Sequence, residues 1–172
     1  MKIRRLTAAD WSLFRDIRLD MLSETPAAFG SSFTDWVTRP EAEIRDWLDR
    51  MYTLGSFDRR TLLATASLSR AGSDLSRHRA EVIAVYAKPA ARGQGITAAL
   101  MRQIAQDAAK GGILQLELQV AADNAPAIAL YTRLGFESFG QIPRAICRGG
   151  QFQDDLLMVW RLDADEPRPD AP

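Results

Sequence analysis

Arg92-Gly93-Gln94-Gly95-Ile96-Thr97 stands between two stretches of opposite character. Before it, Ala80-Glu81-Val82-Ile83-Ala84-Val85-Tyr86-Ala87 is an apolar run of strand length, closed by Pro89, which has no N–H to donate to a ladder. After it, Ile96, Leu100, Ile104 and Ala108 recur every four residues, the stripe of a helix running to about Lys110, with Gly111-Gly112 as its stop. Glycines in such a turn let the backbone approach an anion without a Cβ in the way. The helix that follows points its first free N–H groups, and the positive end of its dipole, at whatever sits there. Arg92 adds a cation that suits a phosphate oxygen. Two common phosphate motifs do not fit. A P-loop requires a lysine after its second glycine, and Ile96 follows Gly95; a dinucleotide fingerprint requires a third glycine where Ala98 stands. Read alone, the turn is equally a bare strand-to-helix connection or a site for another nucleotide.

Outward from the turn, periodicity sets the remaining elements. Ile3–Leu6 reads as a strand, and Thr7 or Asp10 caps a helix to about Ser23, with Trp11, Phe14, Ile17, Arg18, Met21 and Leu22 on one face. Glu24-Thr25-Pro26 ends it, a loop carries Phe29, Gly30, Phe33 and Trp36, and a second helix opens near Pro40 with Ile44, Trp47, Leu48 and Met51 on its apolar face. Tyr52–Phe57 and Thr61–Ser69 form a hairpin around Asp58-Arg59-Arg60, followed by a polar loop over Ala71–Arg79. Ile113–Val120 is a strand with Leu114, Leu116, Leu118 and Val120 on one face and Gln115, Glu117 and Gln119 on the other. Asn124 starts a helix with Pro126 in its first turn and Gly135 past its end; Phe136–Ile142 and Phe152–Leu162 are the last strands. This order predicts an α/β, or mixed α+β, domain over residues 1–162, a mixed sheet covered by helices. Residues 163–172, rich in proline and acids, read as a disordered tail.

Composition narrows the classes of function. Lysine plus arginine equals aspartate plus glutamate, 22 each, so no global basic field draws nucleic acid. A single cysteine, Cys147, and a single histidine, His78, argue against a disulfide framework and against zinc held by those residues, and no metal is expected. The amino terminus lacks a signal-peptide core and no apolar run reaches membrane-spanning length, so a cytoplasmic chain without membrane contact is expected.

From Val82 to Phe136 the chain resembles the GNAT superfamily of N-acetyltransferases. The pattern is an apolar strand, then Arg92-x-x-Gly95-x-Thr97 opening a helix, then Leu118-x-Val120, Asn124, Ala127, Leu130-Tyr131 and Leu134-Gly135-Phe136. Thr97 is a departure, standing where the family usually has glycine or alanine; its hydroxyl either adds a contact or crowds the ligand. The resemblance implies a central mixed, mostly antiparallel sheet of six to seven strands with about four helices. It also implies acetyl-CoA as cosubstrate. The turn, Arg92, Gly93, Gln94, Gly95, Ile96, Thr97 and Ala98, would hold the pyrophosphate of coenzyme A. The strand backbone at Val85, Tyr86 and Ala87 would pair with the pantetheine arm, Asn124 would touch that arm, and Tyr131 would sit near the sulfur. A homodimer is compatible with the resemblance.

Transfer to a primary amine needs no protein nucleophile. An amine of pKa about 10.4 is almost wholly charged at neutral pH, so a base, directly or through water, must take its proton, and the leaving thiolate needs a donor. Strand N–H groups can serve the oxyanion. Tyr131 is the expected acid, its alternative being a packed core ring. Glu81 is the expected base, ahead of Glu117 and His78, each of which reads equally as a solvated or paired side chain. Asn124 is also a good helix cap. Phe29, Phe33 and Trp36 could line an acceptor pocket or simply pack, and Arg144 and Arg148, placed in a loop between the last strands, could meet an acidic acceptor. Cys147 reads as a packing residue. The expected activity is direct transfer from acetyl-CoA to a small-molecule or peptide amine. The alternative is a non-catalytic acyl-CoA-binding or regulatory module on the same fold.

Overall fold

The computed structural model describes residues 1–70 and 72–163. Its strands are β1 (Lys2–Arg5), β2 (Tyr52–Asp58), β3 (Thr61–Arg70), β4 (Arg79–Ala87), β5 (Gln115–Ala121), β6 (Glu137–Arg148) and β7 (Gln151–Arg161). They form one seven-stranded sheet in the order β1-β2-β3-β4-β5-β7-β6. Only β4 and β5 pair in parallel; the other pairs are antiparallel. The helices are α1 (Trp11–Glu24), α2 (Phe33–Val37), α3 (Glu41–Arg50), α4 (Ile96–Lys110) and α5 (Ala125–Leu134).

The two sheet faces carry separate cores. On one, α4 and α5 bury Leu100, Ile104 and Leu134 against Leu54, Ala66, Val82, Leu116 and Leu118. Leu100, Met101 and Ile104 are wholly buried, each contributing about 1.5–3 kcal/mol of hydrophobic stabilisation. On the other, α1, α2 and α3 bury Phe14, Ile17, Met21, Trp36, Ile44 and Leu48 against Phe57, Leu62, Ala84 and Tyr86. Phe14, Trp36 and Trp47 form an aromatic triad there, with centroid separations of 5.7–6.3 Å.

One local irregularity shapes the middle of the sheet. Ala80 and Val82 face the α4 side, yet Ile83 and Ala84 both belong to the α1 side, and Val85 and Ala87 return to the first. An extra residue has therefore been inserted into β4. The β3–β4 register shifts between Thr65 and Ser67, and Ala84 takes φ +54°. Bulges bend the strand that carries them. Beyond Glu81 and Glu117, β4 and β5 share no further paired residues, so they diverge and leave an open wedge.

Sequence and structure differ in a few places. The stretch read as a loop around Phe33 holds the five-residue α2, which Ser32 caps by accepting from the Asp35 N–H at 3.1 Å. β6 runs on to Arg148 and turns at Gly149-Gly150, so Arg144 and Arg148 lie in a strand; Arg144, at φ +53°, falls where the β6–β7 register slips. Leu114 precedes β5 and is exposed, while Leu116, Leu118 and Val120 are buried as expected. The tail expected at 163–172 lies, from residue 164 on, outside the described residues. Among the described residues no helix is long and apolar enough to cross a membrane.

Candidate active site

The turn after β4 leaves backbone donors and open space at the start of a helix. Gly93 and Gly95 have φ +74° and +73°, and a Cβ on either would meet no atom within 4 Å. Both need glycine for their backbone angles, and the space beside them is free for a ligand. Gly95 precedes α4 without any side-chain cap, and Ala99 is the first α4 residue whose N–H bonds back, to the Gly95 carbonyl at 3.0 Å. The amides of Ile96, Thr97 and Ala98 are thus the orphan donors of a fifteen-residue helix. Gln94 turns its amide back onto the Ala90 carbonyl at 2.7 Å and braces the turn. Ile96 sends its side chain into the core, so only its backbone faces outward.

Arg92 is tethered. Its Nε donates to the Ala87 carbonyl at 3.0 Å and its Nη2 to Glu24 Oε2 at 3.1 Å, and Tyr86 Oη donates to the same carboxylate oxygen at 2.7 Å. Burial and Glu24 together push the Tyr86 phenol upward. Lys88 pairs with Asp20 at 2.9 Å, so two acids at the end of α1 clamp the two bases that follow β4.

Two cavities meet at the wedge. The larger, about 1030 Å³, is lined by the glycine turn, Thr97, Ala98, Val85, Tyr86 and Ala87, and by Arg102 and Arg133. The smaller, about 460 Å³, lies on the α1 side and is lined by Arg18, Glu81, Gln119 and Asp155 among others. Phe29, Val85, Asn124 and Tyr131 line both. A ligand laid along the free edge of β4 would pass from the helix end to this junction.

Tyr131 is 8% exposed, with its ring edge-on to Phe136 at 5.7 Å. Burial alone pushes its phenol up to about 12, and no hydrogen bond to its hydroxyl forms among the described residues. The group is therefore protonated at neutral pH and free to donate. Asn124 caps α5, its Oδ1 accepting from the Ala127 N–H at 3.3 Å. Glu81 is half-buried, and desolvation, then the facing Glu117, raise its pKa. Glu117 is held low by Arg79, whose Nε and Nη2 donate to it at 2.5 and 2.7 Å. The two glutamates are register partners across the parallel pair, yet only Glu81 lines the cavity.

The model of the acetyltransferase (GNAT) family matches residues 15–136. The chain belongs to the GNAT acetyltransferase family. Its alignment with mycothiol acetyltransferase of Brachybacterium faecium is 31% identical over 108 residues, 61% of this chain and 33% of that protein. The N-alpha-acetyltransferase RimI of Mycobacterium tuberculosis is 39% identical over 80 residues, 46% of this chain and 48% of that protein. The matches thus span a third to a half of these curated relatives. YncA of Salmonella typhimurium, described as an acetyltransferase and solved with acetyl-CoA, superposes with a TM-score of 0.84 at 25% identity, covering 100% of this chain and 99% of that one.

Within this GNAT chain the remaining sequence candidates separate. Phe29 lines both cavities, whereas Phe33 is exposed and Trp36 is 1% exposed inside the aromatic core. Arg148 donates to the Phe29 carbonyl and ties β6 to the loop after α1; Arg144 lies over the Phe152 ring at 4.7 Å. His78 is exposed before β4, and Cys147 is exposed and free. Sequence reasoning passed over Arg102 and Arg133, which form no ion pair among the described residues and give the larger cavity two cations. It also passed over Asp155, 93% buried (7% exposed) in the smaller one. Arg102 and Arg133 meet only once α4 and α5 pack on the sheet, and Asp155 reaches its cavity only through the pairing of distant strands.

Proposed function

We propose that residues 1–162 act as one catalytic domain that moves an acetyl group from acetyl-CoA directly to a primary amine. The observation that carries this reading is the shared cleft. The uncapped start of α4, the free edge of β4 and the Tyr131 hydroxyl open on continuous space. The amides of the turn, from Gln94 to Ala98, hold the pyrophosphate, with Arg102 and Arg133 as further cations for the phosphates. Arg92 reaches a phosphate by exchanging its contact with Glu24. The β4 edge at Val85, Tyr86 and Ala87 pairs with the pantetheine arm.

In the smaller cavity Glu81 takes the ammonium proton through water, a task its raised pKa favours. The neutral amine forms the C–N bond at the thioester carbonyl, a strand N–H meets the oxyanion, and the C–S bond breaks as the Tyr131 proton passes to sulfur. The proton still on the new amide nitrogen passes through water to the Tyr131 phenolate, and the one held by Glu81 leaves to solvent, so one proton is released per turnover. Thr97 fits this scheme because the backbone does the binding and the threonine lines the cavity without closing it.

The test is thiol release from acetyl-CoA against a panel of primary amines. At least one amine should give release well above hydrolysis. Tyr131→Phe should then lower kcat by about 100-fold or more while leaving the Kd for coenzyme A nearly unchanged. Unaltered turnover would remove Tyr131 from the chemistry. Coenzyme binding with no release for any amine would favour a binding module.

A further inference from the structure

We propose that the smaller cavity selects an acceptor that carries a carboxylate as well as its amine, a small amino acid, and that Arg18 is the residue that holds the carboxylate. The proposal rests on the transferase reading above and names its substrate class. Arg18 lies on the apolar face of α1, 4% exposed, and lines the cavity. No carboxylate pairs with it among the described residues. Its Nη1 meets Met21 Sδ at 3.0 Å, its Nη2 donates to Ser31 Oγ at 3.1 Å, and its Nε is buried without a partner.

Among the described residues no carboxylate lies close enough to Arg18 to offset its charge. The guanidinium lies 4.8 Å from the Trp36 ring centroid and 5.8 Å from those of Trp47 and Phe29. The neighbouring charge is another cation, Arg39, 4.6 Å from the same Trp36 ring. Aromatic faces offset part of the burial, but a desolvated cation without a counter-ion remains expensive. Desolvation and Arg39 lower its pKa to about 10, which still leaves it charged at neutral pH. A carboxylate offered to the guanidinium fork is the partner this site lacks.

The opposite charge lines another part of the same cavity. Glu81 and Asp155 line the cavity, and among the described residues the Asp155 carboxylate accepts only from Gln153 Nε2, at 2.9 Å. A cation with no anion and two acids with room beside them form a charge layout for a zwitterion. Ile83, Leu118 and Val120 add apolar lining, and about 460 Å³ suits a ligand of amino-acid size.

Thiol release at saturating acetyl-CoA, measured on matched pairs of L-amino acids and their α-amides, tests this. The acid of a preferred pair should exceed its amide in kcat/KM by at least about tenfold. Arg18→Met should abolish the preference, chiefly by raising KM for the acid. Arg18→Lys, which keeps the charge but loses the fork, should retain part of it, and coenzyme A binding reports that either variant is folded. Amides used as well as acids, or a folded variant that keeps the wild-type preference, would overturn the assignment of Arg18 while N-acetylation stands. Turnover of neither member of any pair, by enzyme that binds coenzyme A and acetylates other amines, would overturn it too. Failure of every amine to give release above hydrolysis would overturn the proposed reaction and this inference together.

Discussion

Glu81 and Glu117 are residue partners with opposite fates. Arg79 stabilises the charge of Glu117, whereas Glu81 has burial and a like charge against it. The folded chain therefore binds the Glu81 proton more tightly than the unfolded chain does. Glu81 costs nothing at low pH, and stability falls as pH rises from the ordinary glutamate value through the raised one. Glu81→Gln never ionises and escapes that loss. Its Tm should exceed the wild-type value at pH 7 by up to about 3 °C, with the gap closing near pH 4, while amine acetylation slows. A gap independent of pH, read by thermal melts across that range, would show that Glu81 is not strained by its charge. Arg18 shows how far a sequence reveals such a residue. Its place on the apolar face of α1 follows from spacing alone, but its having no counter-ion among the described residues depends on α2, α3 and the chain around Phe29.

At the scale of elements, α4 was legible to its ends because a four-residue stripe, a preceding glycine and a following glycine pair all agree. α2 was not, since five residues give too short a period and only Ser32 marks its start. The bulge in β4 was equally hidden: Val82-Ile83-Ala84-Val85 is apolar throughout, so a slipped alternation leaves no trace in the pattern. That bulge separates β4 from β5, and it holds Ala84 at a φ that suits no β-branched side chain. Ala84→Val should lower stability by about 1–3 kcal/mol in chemical denaturation and reduce acetyl transfer as the strand edge moves. A variant as stable and as active as the wild type would mean that the positive φ is not essential to the wedge.

For the whole molecule, the sheet order, the two cores and the glycine turn place the larger cavity on one side of the wedge and the smaller on the other. The strand–turn–helix series was readable in the chain because local patterning sets it, and Asn124 and Tyr131 stood out through the family resemblance that this patterning supports. The smaller cavity was not: α1, the loop after it, β4, β5, β6 and β7 all contribute to it, and its charges come from residues far apart in sequence. The contact of Glu24 with Tyr86 and Arg92, across more than 60 positions, belongs to the same class.

The account stands on an anion seated at the start of α4. Isothermal titration of coenzyme A into the folded chain tests it most directly. Wild type should bind with one site and measurable heat. Gly95→Glu, which puts a side chain and a like charge into the cradle, should lose that heat, while Gly95→Ala keeps part of it. Wild-type protein that takes up no coenzyme A, or a Gly95→Glu variant that binds it as before, would contradict the account.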